Sequence, residues 1–220
     1  MQRIPGHAPT SIHIQAPSIV YVVDDDNSMR VSLINLLRSV GIRVEAFASL
    51  REFFAYPKSE APSCLILDIR LRGENGLTFQ KDIAKSGLHI PALFMTGYGD
   101  MEMCVKAMKA GAVDFFPKPF RHQDMLDAVA QALQRDDARL AAEQSIATLR
   151  HAYISLTQRE QQILTFVVTG LMNKQIASEM NLREIAVKVH RGNAMKKMSA
   201  RSVAELVRVA EAFGIRPQSA

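Results

Sequence analysis

The stretch that decides the fold is Ile19-Val20-Tyr21-Val22-Val23-Asp24-Asp25-Asp26, five apolar residues followed directly by three carboxylates. An uninterrupted apolar run rich in β-branched residues is typical of a strand that is buried on both faces of a parallel sheet. Acidic side chains at the end of such a strand lie at the sheet edge where open α/β folds bind their ligands. The stretch therefore predicts a buried sheet and a candidate site at its carboxyl edge.

The alternation of strand and helix continues through residues 18–135. Four further strands are predicted at 43–47, 64–67, 92–95 and 113–117. Helical patterns are predicted at 26–40, 50–55, 78–85, 101–110 and from 123 onward. Five strands that alternate with five helices predict an α/β domain with a five-stranded, parallel, doubly wound sheet of the flavodoxin-like kind.

The remainder of the chain has no strand-like run. We expect a loose, proline-containing tail at 1–17, a helical linker at 136–153 and a small all-α helix-turn-helix domain at 154–220. Thr157-Gln158-Arg159-Glu160 has the pattern of a capping box for the first helix of this domain, which Gly170 closes. Asn173 is predicted to be the N-cap of a second helix at 174–180. A tight turn then leads to helices at 184–198 and 203–213.

Charge is unevenly distributed along the chain. Residues 1–139 contain 16 basic and 16 acidic side chains, whereas residues 140–220 contain 11 and 6, which accounts for the whole net charge of +5. A basic C-terminal third suggests contact with a polyanion, although a solvated basic helix has the same composition. The absence of a long apolar run and of a signal peptide predicts a cytoplasmic protein. Two distant cysteines, Cys64 and Cys104, are expected to be buried thiols.

Polar residues follow four of the predicted strands. They are Asp24 and Asp25 after the first, Asp68 after the third, Thr96 after the fourth and Lys118 after the fifth. Because the carboxyl ends of parallel strands share one edge, these five side chains should converge. Neighbouring carboxylates repel one another, and a hard divalent cation such as Mg²⁺ removes that cost.

These residues resemble the receiver domains of two-component systems over about 18–135. The resemblance implies that Asp68 accepts a phosphoryl group from a sensor histidine kinase, with Lys118 and Thr96 contacting the phosphoryl oxygens. It further implies that Mg²⁺ is held by Asp25, Asp68 and the backbone carbonyl of Arg70, while Asp24 acts through water. The resemblance also places Phe115 at the aromatic switch position and implies a cis Lys118–Pro119 bond. Two residues of the loop after Asp68, Arg72 and Glu74, depart from the usual pattern.

The third helix of the C-terminal domain has two faces at 100° per residue. Val187, Ala194 and Met198 form the predicted core stripe, with Met195 at its edge. The opposite face carries small and basic side chains of the kind that a DNA major groove accepts, namely Lys188, Val189, Gly192, Asn193 and Lys196.

Asn173-Lys174-Gln175-Ile176-Ala177 and Val187-Lys188-Val189-His190-Arg191 resemble the LuxR/FixJ/NarL-type output domain, in particular its FixJ-like subgroup. The resemblance implies that Lys188 and Val189 approach bases and that Asn173 and Lys174 approach phosphates. Asn193 and Lys196, which the helical projection places on the same outward face, complete the expected DNA contacts. Ala186 replaces a usual threonine, Arg191 falls on the buried stripe, where it must snorkel or pair, and Gly192 leaves a groove-facing position without a side chain.

Together the two resemblances imply a phosphorylation-dependent transcriptional regulator. It is not expected to be an enzyme, beyond catalysing its own phosphorylation and dephosphorylation. Its expected partners are a histidine kinase, double-stranded promoter DNA, RNA polymerase and, when phosphorylated, a second copy of the chain; no membrane partner is expected. Two alternatives stay open at this point. Asp24-x-Asp26-x-Ser28 with Thr96 and Lys118 resembles the motif order of haloacid-dehalogenase-type phosphatases, and the helical domain could bind structured RNA.

Overall fold

The computed structural model of the protein describes residues 18–71, 88–97 and 113–212. The strands are β1 (Ile19–Val23), β2 (Arg43–Phe47), β3 (Ser63–Asp68), β4 (Ala92–Thr96) and β5 (Asp114–Pro117). The helices within these ranges are α1 (Asn27–Ser39), α2 (Leu50–Ala55), α3 (His122–Ile154), α4 (Gln158–Val168), α5 (Asn173–Glu179), α6 (Glu184–Lys197) and α7 (Val203–Ala212).

The five predicted strands form one parallel sheet in the order β2-β1-β3-β4-β5, which confirms the doubly wound, flavodoxin-like prediction. β1 pairs with β2 and β3 on its two sides, and β4 pairs with β3 and β5. Several predictions fall outside the described residues: the tail at 1–17, the helices at 78–85 and 101–110, Arg72, Glu74 and Cys104.

The sheet is buried on both faces because alternate residues of each strand pack against different helices. On one face Val20, Val22 and Ile66 pack with Leu33 and Leu37 of α1. Side chains of α3 cover the same face. On the opposite face a second core contains α2 and the remaining strand residues, including Tyr21, Leu65, Phe94, Leu50 and Phe53. Each fully buried aliphatic side chain contributes about 1.5–3 kcal/mol, so these two layers hold the strand ends in place.

Local sequence explains where α1 begins and ends. Asp26 is its N-cap, and the Asp26 carboxylate accepts a hydrogen bond from the backbone N–H of Ser28 at 2.8 Å. Gly41 follows the helix with φ of +80°, a conformation that a side chain disfavours. The helix therefore connects the end of β1 to β2 with both of its ends satisfied.

The chain divides into two compact units, Met1–Leu140 and Ala141–Ala220. α3 is one continuous helix of 33 residues that runs through this division. Its buried residues end at Asp136, and most side chains from 141 to 151 are exposed. The stretch predicted as a linker, 136–153, is therefore helical, while the domain bounds themselves remain predictions. Among the described residues, no helix is both long and apolar enough to cross a bilayer.

The described residues of the second unit, 141–212, form helices around their own core, which contains Leu156, Ile163, Leu164, Val167, Ile176, Val187, Ala194 and Leu206. The predicted capping box at the start of α4 is confirmed, with Thr157 and Glu160 each accepting from the other's backbone N–H. Asn173 as the N-cap of α5 is wrong. Met172 occupies that position, and its backbone N–H is satisfied by the Gln175 side chain at 2.8 Å, which leaves Asn173 as the first helical residue.

A buried carboxylate ties α3 to the beginning of β3. Asp136 is 1% exposed, and its Oδ2 accepts from the backbone N–H of Ser63 at 2.8 Å and from the Ser63 hydroxyl at 3.3 Å. The Arg139 guanidinium donates to Asp136 Oδ1 at 2.9 Å. Burial raises the pKa of the neighbouring Cys64 thiol, and the Asp136 charge adds to this effect, so Cys64 is an inert core thiol.

We expect Asp136→Ala to lower the free energy of unfolding of the sheet-containing unit by about 2–4 kcal/mol, because Ser63 and Arg139 both lose a buried partner. Calorimetry of the full chain measures this loss. Asp137→Ala, at the adjacent exposed carboxylate, is the matched control and should change the unfolding free energy by less than about 0.5 kcal/mol. Equal losses in the two variants would contradict the assigned role of Asp136.

Candidate functional sites

An ammonium group lies between two carboxylates at the carboxyl edge of the sheet. Lys118 Nζ donates to Asp24 Oδ2 at 2.6 Å and to Asp68 Oδ2 at 2.8 Å. Asp24 directly follows β1, Asp68 ends β3 and Lys118 directly follows β5. The backbone N–H of Lys118 donates to the carbonyl of Thr96 at 2.7 Å, which fixes this residue against the end of β4. The Lys118–Pro119 bond is cis, as predicted.

A third carboxylate completes the pocket. Carboxylate oxygens of Asp24, Asp25 and Asp68 all lie within 4.8 Å of one another. Such a set of hard oxygen donors fits a divalent cation such as Mg²⁺ in its chemistry. The Asp68 carboxylate is held in orientation because its Oδ1 accepts from the backbone N–H of Arg70 at 2.9 Å. The pocket thus combines three carboxylates, one of them fixed in orientation, with the Lys118 ammonium, which offsets part of their charge.

Burial differs among these carboxylates, and this difference bears on their chemistry. Asp24 is fully buried, whereas the Asp68 side chain is 10% exposed and Asp25 is half-buried. Burial raises the pKa of Asp24, against the opposing hydrogen bonds from Lys118 and the Asp26 N–H. Burial alone lowers the pKa of Lys118, but hydrogen bonds to Asp24 and Asp68 outweigh it and raise that pKa overall. Lys118 therefore stays protonated and neutralises charge in the pocket.

The two residues predicted to form the switch, Thr96 and Phe115, lie on β4 and β5. Thr96 ends β4 and is 2% exposed, and its hydroxyl donates to the Gly97 carbonyl at 3.3 Å. Phe115 lies on β5, opposite Phe94 of β4 in the sheet register, and is half-buried against the second core. Both residues thus lie on strands whose carboxyl ends form the pocket.

The predicted division of α6 into two faces is confirmed. Val187, Ala194 and Met198 are at most 2% exposed within the core of the helical unit. The opposite face is exposed along its whole length and carries Lys188, Val189, Gly192, Asn193 and Lys196. The structure therefore presents all the α6 residues predicted to contact DNA on one surface.

An ion pair holds the last turn of α6. Lys197 Nζ donates to Glu160 Oε2 at 2.7 Å and to the Ser155 carbonyl at 3.2 Å. Glu160 is 3% exposed and also accepts from the Thr157 N–H at 2.8 Å. The hydrogen bond from Lys197 is the main reason that the pKa of Glu160 is lowered. This arrangement fixes the C-terminal end of α6 against the beginning of α4.

A second polar contact joins α6 to α5. Of the two options predicted for Arg191, snorkelling or pairing, the structure shows pairing: the Arg191 guanidinium donates to Asn173 Oδ1 at 2.7 Å. Both side chains are half-buried, and Lys174 beside them is exposed. Because the Asn173 oxygen is occupied by Arg191, the amide NH₂ of Asn173 is the end that remains to contact an external acceptor. Arg191 thus positions a predicted phosphate contact.

Sequence reasoning missed several residues of these sites. Ile185 is 76% exposed and precedes Val189 by four residues, so a helical projection of α6 could have placed both on one face. The partner of Arg191 and the pairing of Lys197 with Glu160 had no local signal, because the partners are 18 and 37 residues apart.

Comparison with known families covers both units. Residues 20–130 match the family described as the response regulator receiver domain. Residues 154–210 match the family described as bacterial regulatory proteins of the luxR family. The chain is also similar to nodulation protein W of Bradyrhizobium diazoefficiens, with 50% identity over 210 residues that cover 96% of this chain and 91% of the relative.

Two solved structures extend the similarity to the fold. The response regulator StyR is 46% identical with a TM-score of 0.82, covering 90% of this chain and 100% of StyR. Full-length FixJ from B. japonicum is 34% identical with a TM-score of 0.53, covering 90% of this chain and 97% of FixJ. These similarities agree with the FixJ-like prediction, and they favour neither the phosphatase nor the RNA-binding alternative.

Glu160→Gln provides a test of how α6 is held. The variant keeps an acceptor for Thr157 but loses the charge facing Lys197, and we expect a loss of about 1–2 kcal/mol at pH 7. Because the folded pKa of Glu160 lies below its ordinary value of 4.5, this stabilisation is present above the ordinary value and disappears as the pH falls through the folded pKa.

Calorimetry of both proteins between pH 7 and pH 3 measures the difference. It should shrink below the ordinary carboxyl pKa and approach zero in acid. Glu179→Gln, at an exposed position of α5, serves as the control and should show no such trend. A difference between Glu160→Gln and the native chain that stays constant down to pH 3 would show that the Glu160 charge has no part in holding α6.

Proposed function

This chain belongs to the response regulators that join a receiver domain to a LuxR-type DNA-binding domain, and we propose that phosphorylation of Asp68 controls its binding to promoter DNA. The observation that carries the proposal is the contact of Lys118 with both Asp24 and Asp68 at 2.6 and 2.8 Å. A lysine so placed neutralises the carboxylates now and can contact phosphoryl oxygens after transfer.

Among the carboxylates of the pocket, Asp68 is the best candidate for the acceptor. Asp24 has no solvent-exposed area, whereas Asp68 is partly exposed and oriented by the Arg70 N–H and by Lys118. In the transfer, a carboxylate oxygen of Asp68 forms a bond to phosphorus while the bond from phosphorus to the imidazole nitrogen of the kinase breaks. Such a reaction depends mainly on alignment and charge neutralisation, which this pocket supplies.

Mg²⁺ is the cofactor that we propose for this pocket. Asp25, Asp68 and the backbone carbonyl of Arg70 would hold the ion, and Asp24 would act on it through water. When bound, the ion offsets the negative charge that a phosphoryl group brings to the carboxylates. The three carboxylates within 4.8 Å of one another support this assignment.

Thr96 and Phe115 are proposed to convert phosphorylation into a change at the receiver surface. Moving such a switch from 1:99 to 99:1 requires about 5.5 kcal/mol of differential interaction. A single hydrogen bond from Thr96 to a charged phosphoryl group supplies only about 1.5–3 kcal/mol. Dimerisation of the phosphorylated receiver would supply the remainder and would present two copies of α6 to DNA.

The DNA contacts are proposed from the exposed face of the helical unit. Lys188 and Val189 lie early in α6, where a recognition helix meets base edges. Asn193 and Lys196 lie farther along the same face, and Asn173 and Lys174 lie at the N-terminal end of α5, which suits contact with phosphates. A cytoplasmic location, a sensor histidine kinase and RNA polymerase complete the proposed setting.

The acceptor assignment predicts that acetyl phosphate with Mg²⁺ labels the full chain on Asp68. Asp68→Asn should reduce incorporation of labelled phosphate to background because the attacking oxygen is lost. Asp114→Asn, an exposed carboxylate at the start of β5, should be labelled like the native chain. Stoichiometric labelling of Asp68→Asn would refute the assignment.

The DNA assignment predicts different effects for two lysines of α6. Lys188→Ala should lose about 1–3 kcal/mol on a specific site only. Lys196→Ala should weaken specific and non-specific binding about equally and reduce the salt slope by about one. Footprint titrations over a salt series measure both quantities.

Arg135→Ala controls for net charge, since it removes one exposed cation from the sheet-containing unit. It should leave the ratio of specific to non-specific affinity unchanged. If Lys188→Ala also leaves that ratio unchanged, α6 is not the element that reads the sequence.

A further inference from the structure

Two aliphatic side chains project into solvent from the first half of α6. Ile185 is 76% exposed and Val189 is 58% exposed. They are four residues apart, which places them one above the other on the same face of the helix. Single exposed apolar residues are common on protein surfaces. Here two of them lie side by side on a face that also carries lysines. Such a face matches a ligand that has both negative charge and apolar groups.

A glycine extends this apolar strip. Gly192 is exposed, lies within the 14-residue helix α6 and is three residues beyond Val189. A Cβ atom added at Gly192 would meet no described atom within 4 Å, and its φ is not in the left-handed region. Glycine inside a helix costs about 0.5–1 kcal/mol relative to alanine. Neither packing against described atoms nor backbone conformation requires glycine at this position, which points to close approach of a ligand as the reason.

The surrounding charges identify the class of ligand. Lys188 lies between Ile185 and Gly192 in the sequence, and Lys196 follows Gly192 by one helical turn on the same exposed face. Cations of this kind favour a polyanion over an apolar protein surface. Thymine is the base of duplex DNA that presents an apolar group, its C5 methyl group, in the major groove.

We propose that Ile185 and Val189 read thymine by packing against its C5 methyl groups, and that Gly192 allows α6 to approach the base edges closely. This inference rests on the proposed role of α6 as the DNA reader and adds to it the class of base that is read. It predicts thymine-containing half-sites in which removal of one methyl group is detected by one identified side chain.

The experiment uses the full chain with acetyl phosphate and Mg²⁺. A duplex selected by this protein from a random pool is resynthesised with single thymines replaced by deoxyuridine, which removes only the methyl group. The native chain should lose about fourfold in affinity for each methyl group in contact. Ile185→Ala should be insensitive to the replacement at one of these positions, and Val189→Ala at another.

Ile154→Ala is the matched control, because Ile154 is also an exposed isoleucine, at 69%, but lies at the end of α3. It should respond to every replacement like the native chain. If Ile185→Ala and Val189→Ala also respond like the native chain at every position, the methyl-reading proposal is overturned. Failure of the native chain to select any duplex would instead refute DNA recognition itself, and with it this inference.

Gly192→Ala tests the close approach independently. Its thermal unfolding temperature should rise, because alanine is the better helix former at this open position. Its affinity for the selected duplex should nevertheless fall at least fivefold. Unchanged affinity together with raised stability would show that Gly192 has no role in approaching DNA.

Discussion

The contact of Lys118 with Asp24 and Asp68 is the interaction on which the receiver depends. Two carboxylates at about 4 Å repel by roughly 4 kcal/mol at an effective dielectric near 20, and one of these two is fully buried. Lys118 removes this repulsion, although it lies 94 residues from Asp24 and 50 from Asp68 along the chain. The three residues meet only when β1, β3 and β5 occupy their places in the sheet. The pocket therefore forms only when the strands of the sheet are in their observed order.

The two cores provide the rigidity that this requirement needs. Successive side chains of each strand pack into the cores on opposite faces of the sheet, so each strand is held from both faces. Asp136 adds a polar tie, since it links α3 to the backbone at the start of β3. A pocket built on strands fixed in this way can orient Asp68 closely, while its partial exposure leaves the carboxylate accessible.

The helical unit depends on its polar ties for a different reason. α5 has seven residues, and a helix of this length is not stable by itself in water. Burial of Ile176 and the contact of Asn173 with Arg191 hold it against α6. Lys197 and Glu160 hold the other end of α6. These contacts fix the inner face and the C-terminal end of α6. The residues of its outer face are exposed and therefore available to contact a ligand.

The sequence by itself determined the strands, the sheet class, the capping box and the meeting of Asp24, Asp68, Thr96 and Lys118 at one edge. These follow from short-range periodicity and from the rule that parallel strands end together. Tertiary structure decided the pairings of Arg191, Lys197 and Asp136, and it moved the N-cap of α5 from Asn173 to Met172. The Asn173 side chain accepts a hydrogen bond from Arg191 of α6 and does not cap α5. That choice depends on distances across the folded unit, which the local pattern of residues does not contain.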